Sequence, residues 1–326
     1  MTTSNRRRFL TLTAAALATP ALPRFARAQA WPAGKPIRVV VPFSPGSTVD
    51  IIARIVLDPL SRQLGQTMLV ENRGGAGGSI GSAAVAKADP DGFTLLVNAS
   101  AHSAAPAAFP HITYDPAKDF AAVAMFGVVP NVLLVAPSKG IKTVQEFVAK
   151  AKAGNMTFSS AGVGSATHWA AERFRVSAGF EATHVPYRGG PEALTAVMTG
   201  NVDFIFIGTS SGMAFIRNGQ LLPLAVSSLK RSSALPDVPT TLEAGFKDSD
   251  YTFWNGMLAP AKTPRPIVER LYAETMKVLA LPEVQAKLAP QGVEPMPLTP
   301  AEFDALIAKE IVSNLALAKA AGLKFN

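Results

Sequence analysis

The fold is decided by residues 37–64, which read IRVVVPFSPGSTVDIIARIVLDPLSRQL. The largely β-branched run at 37–41 predicts a buried strand, and a turn containing Pro45 and Gly46 follows it. Apolar residues then recur at near-helical spacing from 49 to 64, which predicts a helix. Residues 67–70 are strand-like again. This order of strand, helix and strand indicates a β-α-β unit, which joins two parallel strands.

The same alternation continues along the chain and predicts an α/β fold of largely parallel sheets flanked by helices. No flexible linker separates two halves, so we expect the chain to cross between two lobes near residues 124–131 and 227–233. The predicted lobe 1 is discontinuous, at 31–125 and 231–326, and lobe 2 spans 126–230. Further strands are predicted at 93–97, 132–135, 156–159, 183–185, 202–207 and 221–226, and further helices at 80–87, 144–152, 167–177, 191–198, 266–279, 282–288 and 300–320.

Residues 1–30 have the features of an export signal. A basic start is followed by an apolar run at 10–22 and a small-residue site at 28–30, so we expect cleavage after Ala30. The sequence RRRFL at 6–10 resembles the twin-arginine (Tat) export pattern, and a Sec leader is the alternative. Either route delivers the mature chain to the periplasm.

Charge and cysteine content exclude several classes of function. The chain has 326 residues, with 31 Lys or Arg, 23 Asp or Glu and a net charge of +8. Five arginines and no acidic residue lie in residues 1–30, which leaves 26 basic and 23 acidic residues, and +3, in the mature chain. The mature chain therefore lacks the large excess of positive charge that would be the main support for a nucleic-acid-binding surface. The absence of cysteine excludes disulfides, a cysteine nucleophile and a lipid-anchored cysteine. No later apolar run reaches the 18 residues that a membrane span requires.

Two loops have the chemistry of an anion site. In each loop a predicted strand ends and a helix begins, with Ser47 and Thr48 in the first and Ser165 and Thr167 in the second. A helix N-terminus presents unpaired N–H groups and the positive end of the helix dipole, so it holds a carboxylate without a nearby cation. An ordinary capped turn is the alternative for the first loop. Two such helix starts that face one cleft between lobes favour a small-ligand site.

Several catalytic and metal motifs are rejected. Residues 208–212 (GTSSG) match the serine-hydrolase elbow, but all four histidines precede them, so the required chain order fails. The histidines are scattered singly, without the spacing of metal ligands. We therefore expect no catalytic residue, no metal and no cofactor, in a protein that is not an enzyme. A hydrolase that uses Ser165 and His168 is the alternative from another class.

Taken together, these segments resemble the Bug family, the TctC-like substrate-binding proteins of tripartite tricarboxylate transporters. The resemblance implies a two-lobed, type II-like periplasmic binding fold that closes on a small organic carboxylate. The matching segments run in order through nearly the whole mature chain: IRVVVPFSPGSTVDIIAR at 37–54, LVENRGGAGGSIG at 69–81, AKADPDGFTLL at 86–96, the loop at 162–168, VPYRGG at 185–190 and AVSSLKRSSALPDVPTTLEAG at 225–245.

The resemblance also implies the ligand-binding residues. Two β-α loops act as pincers on the carboxylate, and ordered waters complete the site. Ser47 stands where a glycine is common in the family, and Ile207 and Gly208 where an aspartate or asparagine is frequent, so we expect the selection of the ligand side chain to differ. Transferred by position, the site contains Ser44, Pro45, Gly46, Ser47, Thr48 and Asp50 in the first pincer, Gly162, Gly164, Ser165, Thr167 and His168 in the second, and Ala99, Ser100, Gly189, Gly190 and Asp203 nearby.

The function implied by the resemblance is that of a monomeric periplasmic receptor. It captures the carboxylate by closure of the lobes and delivers it to the membrane components of a tripartite transporter. A ligand sensor that passes the closed form to a signalling protein is the alternative within the same fold. Trp169 and Trp254 have two interpretations, as lining of the distal pocket or as core residues.

Overall fold

The computed structural model describes residues 31–320, so the predicted export signal at 1–30 lies outside the described residues. From Trp31 onward the chain forms one compact unit. The strands are β1 (Ile37–Val41), β2 (Met68–Asn72), β3 (Thr94–Ala99), β4 (Phe120–Val135), β5 (Met156–Ser160), β6 (Ala182–Pro186), β7 (Phe204–Gly208), β8 (Leu222–Val226) and β9 (Thr252–Pro260). The α-helices are α1 (Thr48–Leu64), α2 (Ser79–Ala86), α3 (Ala101–Ala108), α4 (Val144–Lys152), α5 (Ala166–Ala178), α6 (Gly190–Met198), α7 (Thr209–Arg217), α8 (Arg265–Leu279), α9 (Pro282–Leu288) and α10 (Pro300–Ala320).

The predicted β-α-β units are confirmed. β1 pairs in parallel with β2 and β3, and β5 pairs in parallel with β6 and β7. The helices between these strands pack on the sheet, as crossover connections of parallel strands do. Because parallel strands point the same way, β1 and β5 bring their carboxyl ends, and the helices α1 and α5 that follow them, to equivalent places in the two parallel sets.

Two long strands, β4 and β9, join the two parallel sets. The sequence pattern predicts only the end of β4 and none of β9, and it places a connection where the first part of β4 lies. β9 is antiparallel to both β3 and β4, and β4 is antiparallel to β7 and β8. The strand order is β2-β1-β3-β9-β4-β7-β5-β6, with β8 beside β4. The predicted lobe boundaries fall within or near these shared strands and stay a prediction.

Helix α1 shows how the local sequence sets a boundary. The side chain of Ser47 caps the first turn by accepting from the N–H of Asp50, and Gly65 ends the helix in the left-handed conformation at φ 63°. Between these ends, Ile52, Val56 and Leu60 are fully buried against the sheet. Burial of each such side chain stabilises the fold by roughly 1.5–3 kcal/mol.

The core beside the second parallel set is rich in aromatic rings. The Phe147 ring contacts Phe204 edge-on at 4.9 Å and Phe180 at 5.8 Å between centroids. Trp169 and Trp254 are each only 1% exposed, which assigns both side chains to the core. Within residues 31–320, no helix combines the length and the apolar character needed to cross a membrane.

The last helix, α10, is anchored by a buried carboxyl group. Oε2 of Glu310 accepts hydrogen bonds from Ser103 Oγ of α3 at 2.5 Å and from Trp254 Nε1 of β9 at 2.8 Å. The Trp254 ring also packs edge-on against Phe303 of α10. Burial raises the pKa of Glu310, although the two hydrogen bonds oppose this change. The carboxyl group of Glu310 thus links α10 to α3, which follows β3, and to β9, which pairs with β3.

The raised pKa of Glu310 predicts a pH-dependent stability. Between the pKa of this group in the unfolded chain and its raised pKa in the folded chain, the folded state retains a proton that the unfolded state has lost, so the free energy of unfolding falls as the pH rises. Glu310→Gln cannot ionise and removes this contribution. We therefore expect the variant to gain stability relative to the wild type as the pH rises from about 4 to about 8 in urea unfolding. A difference that does not change with pH would contradict this role.

Candidate functional site

The two helix starts predicted as an anion site are built alike. Ser47 caps α1 with extended backbone angles of φ −68° and ψ 158°, and Ser165 caps α5 with φ −69° and ψ 161°. Ser47 Oγ accepts from the N–H of Asp50 at 3.3 Å, and Ser165 Oγ accepts from the N–H of His168 at 3.3 Å. Each cap satisfies one of the unpaired N–H groups and leaves others available at the helix start.

A glycine precedes each capping serine, and its N–H group donates to a side chain in the first turn of the helix. Gly46 and Gly164 both have a positive φ, 77° and 73°, which a residue with a Cβ adopts only at a cost. The N–H of Gly46 donates to Asp50 Oδ2 at 2.9 Å, and the N–H of Gly164 donates to His168 Nδ1 at 3.1 Å. Asp50 and His168 thus have equivalent positions and the same task, which is to fix the loop that carries the cap.

Asp50 is held in turn by two further side chains. Arg54 Nε donates to both carboxylate oxygens of Asp50, at 3.0 and 3.1 Å, and Asn72 Nδ2 donates to Oδ1 at 2.8 Å. Burial alone would raise the pKa of Asp50, but the hydrogen bonds from Arg54, Gly46 and Asn72 lower it below its usual value. Asp50 is therefore an ionised brace, and its charge is already paired.

His168 is a neutral brace. Its ring stacks on the His184 ring at 3.8 Å between centroids, and its Nε2 lies 3.9 Å from Glu172 Oε1. Burial, and then the nearby charges of His184 and Arg175, lower the pKa of His168 to about 2. Because Nδ1 accepts from Gly164, this nitrogen is engaged away from Ser165 Oγ. The arrangement that a Ser165–His168 hydrolase requires is not formed.

A small cavity lies between the two helix starts. Its volume is about 30 Å³, room for about one or two water molecules. Both parallel sets of strands contribute to its walls, and the surface exposed in it is apolar, although five serine and threonine residues are among those that line it. The lining residues are Phe43, Ser47, Thr48, Val49, Ala99, Ala161, Ser165, Ala166, Thr167, Gly190, Ile207, Ser211 and Phe253.

Most of the predicted site residues either line the cavity or support the loops around it. Those that line the cavity are Ser47, Thr48, Ala99, Ser165, Thr167 and Gly190. Those that shape or brace the loops around it are Ser44, Pro45, Gly46, Asp50, Gly162, Gly164, His168 and Gly189, and Ser100 lies behind Ala99, with its Oγ 3.2 Å from the hydroxyl oxygen of Tyr251.

Asp203 is the one predicted residue that the structure places elsewhere. It precedes β7, whereas the cavity adjoins the opposite end of that strand at Ile207. Its carboxylate pairs with Lys139 Nζ at 2.5 Å and accepts from the backbone N–H of Thr157 at 2.8 Å. Burial opposes ionisation, yet these partners lower the pKa of Asp203. Its contacts are those of a structural ion pair at the far end of the strand.

Seven cavity residues were not among the predicted site residues, namely Phe43, Val49, Ala161, Ala166, Ile207, Ser211 and Phe253. Ser211 belongs to the GTSSG segment, which the sequence analysis rejects as a nucleophile elbow. The usable signal is its place in the first turn of a helix that directly follows a strand, although Ser211 is the third residue of that helix and Ser47 and Ser165 are N-caps. Phe253 belongs to β9, a strand that the sequence pattern does not predict, so it carried no local signal.

The loops on the two sides of the cavity are in direct contact. Thr48 Oγ1 and Ser211 Oγ are 3.0 Å apart, and Ser211 Oγ also donates to the carbonyl oxygen of Gly46 at 3.2 Å. In the glycine-rich segment 74–78, Gly77 lies so close to the second loop that a Cβ there would be 2.2 Å from the carbonyl oxygen of Val163. The glycine-rich segment therefore serves close packing against the second loop.

A larger groove adjoins the cavity and shares Ala161 with it. The groove has a volume of about 610 Å³ and lies between the glycine-rich segment and the second loop. Phe109 and Tyr187 provide aromatic surface, and Arg188 and Glu192 place one cation and one anion on its wall.

Solved structures with this fold are solute-binding proteins. A protein of R. palustris, solved with adipate, has 31% sequence identity and a TM-score of 0.86, and covers 90% of this chain and 99% of its own. MatC from Rhodopseudomonas palustris, solved with bound malate, has 32% identity and a TM-score of 0.82, over 87% of this chain and 98% of its own. The periplasmic binding protein BugD has 30% identity and a TM-score of 0.85, over 90% of this chain and 99% of its own, so the chain has the fold of the periplasmic solute-binding proteins, which are not enzymes.

The family is equally plain. The profile of the tripartite tricarboxylate transporter family receptor, TctC, matches residues 52–323, and the chain belongs to this family. Protein BugT of Bordetella pertussis is 33% identical over 314 residues, which cover 94% of this chain and 95% of BugT. The resemblance to the Bug family is confirmed.

The bracing role of His168 predicts a difference between two substitutions. His168→Leu removes the acceptor of the Gly164 N–H, whereas His168→Asn keeps an acceptor oxygen where Nδ1 lies. A buried donor without a partner costs about 1–3 kcal/mol, so we expect the Leu variant to lose about that much more free energy of unfolding than the Asn variant. Urea unfolding of both variants measures the difference, and equal losses would rule out the brace.

Proposed function

We propose that the protein captures a small organic carboxylate between the starts of α1 and α5. The observation that carries the proposal is the meeting of two serine-capped helix starts at one cavity. Unpaired N–H groups and the positive ends of two helix dipoles favour an anion there. Two solved relatives hold small carboxylates, adipate and malate.

The chemistry of the cavity supports a ligand with a carboxylate end and an apolar or lightly substituted body. None of the described residues that line it is Lys or Arg, so neutral donors would hold the charge. The hydroxyls of Ser47 and Ser165 would add donors beside the backbone N–H groups, whereas the proton of the Thr48 hydroxyl is used in the contact with Ser211. Phe43 and Phe253 offer apolar contact beyond them. In a water-poor cleft such fixed dipoles bind an anion more strongly than they would in water.

We further propose that the described conformation corresponds to closed lobes, with lobe 1 at 31–125 and 231–326 and lobe 2 at 126–230. The hydrogen bonds between Thr48 and Ser211 and from Ser44 Oγ to the carbonyl oxygen of Arg188 join these lobes. A cavity of about 30 Å³ is smaller than a dicarboxylate, so the ligand enters only when the lobes separate. Ligand binding then shifts the equilibrium toward a closed form that is expanded at this cavity.

In the cell, the exported chain is cleaved after Ala30 and acts in the periplasm as a monomer. The closed form delivers the carboxylate to the membrane components of a tripartite transporter, as the family name implies. The twin-arginine pattern at 6–10 supports export in the folded state.

A carboxylate introduced at either helix start tests the ligand site. Ser47→Glu and Ser165→Glu each place a negative charge where the ligand carboxylate would lie, and we expect affinity for any bound carboxylate to fall about 100-fold or more. The matched control is Thr143→Glu, because Thr143 caps α4 in the same way. Calorimetric titration of ligand-stripped protein with malate and adipate provides the measurement.

The control separates lost binding from lost folding. Replacing a capping side chain costs about 1 kcal/mol, and a Glu at the buried positions 47 and 165 costs more than one at the exposed position 143, so thermal unfolding has to show that each variant is folded before the titration. A folded Ser47→Glu or Ser165→Glu variant that keeps its affinity would place the anion site elsewhere.

The contact of Gly77 with Val163 tests closure. Gly77→Ala would press a Cβ against the carbonyl oxygen of Val163 and hold the lobes apart. Gly65→Ala is the control, because Gly65 has a similar φ, 63° against 60°, and open space around it. We expect ligand affinity to fall at least about tenfold in the Gly77 variant only, with similar stability of the two ligand-free variants. Equal affinities would mean that this contact does not form part of closure.

A further inference from the structure

Asn255 of β9 lies in the sheet next to the cavity. It pairs with Ala99 of β3 on one side and with Gly127 of β4 on the other, and it is fully buried. Residues directly opposite on paired strands point to the same face, with Cβ atoms about 5 Å apart. The Asn255 side chain therefore lies beside that of Ala99, and by alternation along β9 it shares a face with Phe253. Ala99 and Phe253 both line the cavity.

The amide of Asn255 has no hydrogen-bond partner for either its Nδ2 or its Oδ1 among residues 31–320. The neighbouring Asn98 on β3 differs, because its Nδ2 donates to Ser82 Oγ at 3.1 Å and its Oδ1 accepts from the N–H of Ala99 at 2.8 Å. A buried amide without partners destabilises a fold, and an apolar side chain of the same size would not. The fold alone therefore gives no reason for an amide at residue 255.

We propose that Asn255 determines the ligand specificity of the cleft. Its amide binds, directly or through one water, a hydroxyl group on the chain of a carboxylate whose charged end lies at the two helix starts. An amide offers both a donor and an acceptor, and a hydroxyl group uses both. The ligand class is therefore a hydroxy-substituted carboxylate. This inference rests on the proposed function and adds the chemistry of the ligand body.

The short side chain of Ala99 makes this contact sterically accessible. Ala99, opposite Asn255 on one side, places only a methyl group between the backbone of β3 and the cavity. On the other side, Val293 and the carbonyl of Glu294 fill the space beside Gly127, and that carbonyl already accepts from the N–H of Val128. A polar partner of the amide would therefore enter from the side of Ala99 and the cavity.

The test uses ligand pairs that differ only by a hydroxyl group, malate with succinate and hydroxyadipate with adipate. Calorimetric titration compares the ligand-stripped wild type with Asn255→Leu, which keeps the size of the side chain and removes the amide. We expect the wild type to prefer the hydroxylated member of a pair about tenfold, and Asn255→Leu to reduce that preference to about twofold or less. Affinity for the unsubstituted member should change little.

The matched control is Thr275→Val. Thr275 is also fully buried, its hydroxyl also lacks a partner, and it lies on α8 outside the cavity lining. We expect both variants to unfold at or above the midpoint of the wild type, and only Asn255→Leu to change the preference between paired ligands. Asn255→Leu would then stabilise the fold and at the same time remove the selectivity. A purely structural asparagine would not give this combination of results.

Each other outcome overturns the inference. If the wild type binds a carboxylate but shows no preference for its hydroxylated form, or keeps that preference in Asn255→Leu, the specificity role is wrong and the proposed function stands. If Thr275→Val changes the preference equally, the effect is not local to the cleft and the role is also wrong. If the wild type binds none of the four ligands, the proposed capture of small carboxylates fails and this inference fails with it.

Discussion

The structure depends on the unpaired backbone N–H groups at the starts of α1 and α5. A helix cannot satisfy its own first donors, and burial of those donors near a cleft is tolerable only where a polar partner is supplied. Ser47 and Ser165 supply part of it, and both helix starts lie at the same cavity. Two copies of one local solution, placed at the ends of β1 and β5, thus meet at a cavity that no described Lys or Arg lines.

The braces behind the loops differ in charge but not in effect. Asp50 is ionised and paired with Arg54, and His168 is neutral and stacked on His184. The pKa of Asp50 is lowered and that of His168 is about 2, so neither group changes its protonation between about pH 5 and pH 8. The geometry and the charge of the helix starts are therefore constant over the physiological range.

Features that local interactions determine are predictable from the sequence, whereas features that depend on contacts between distant residues are not. Strand β1 and helix α4 have the predicted bounds, because their periodicity and caps are local. The capping serines are local signals too. Strand β9 is not predictable in this way, since its segment contains Asn255 and Gly256 and it is held by pairing with β3 and β4, which are distant in sequence. For the same reason the sequence could not supply Phe253, and it could not reveal that Asp203 lies at the far end of β7.

The place of β9 in the sheet also governs the order in which the protein can assemble during synthesis. β9 lies between β3 and β4, so the first third of the chain has no direct strand pairing with the middle third. While the ribosome is still adding residues before 252, β3 and β4 each retain an unpaired edge. β3 and β4 can be joined through β9 only after residues 252–260 have left the exit tunnel. Pairing between segments that are so distant in sequence is slow to form. The nascent chain thus carries two exposed sheet edges until its last quarter is made, which are sites where chaperones that protect strand edges would bind.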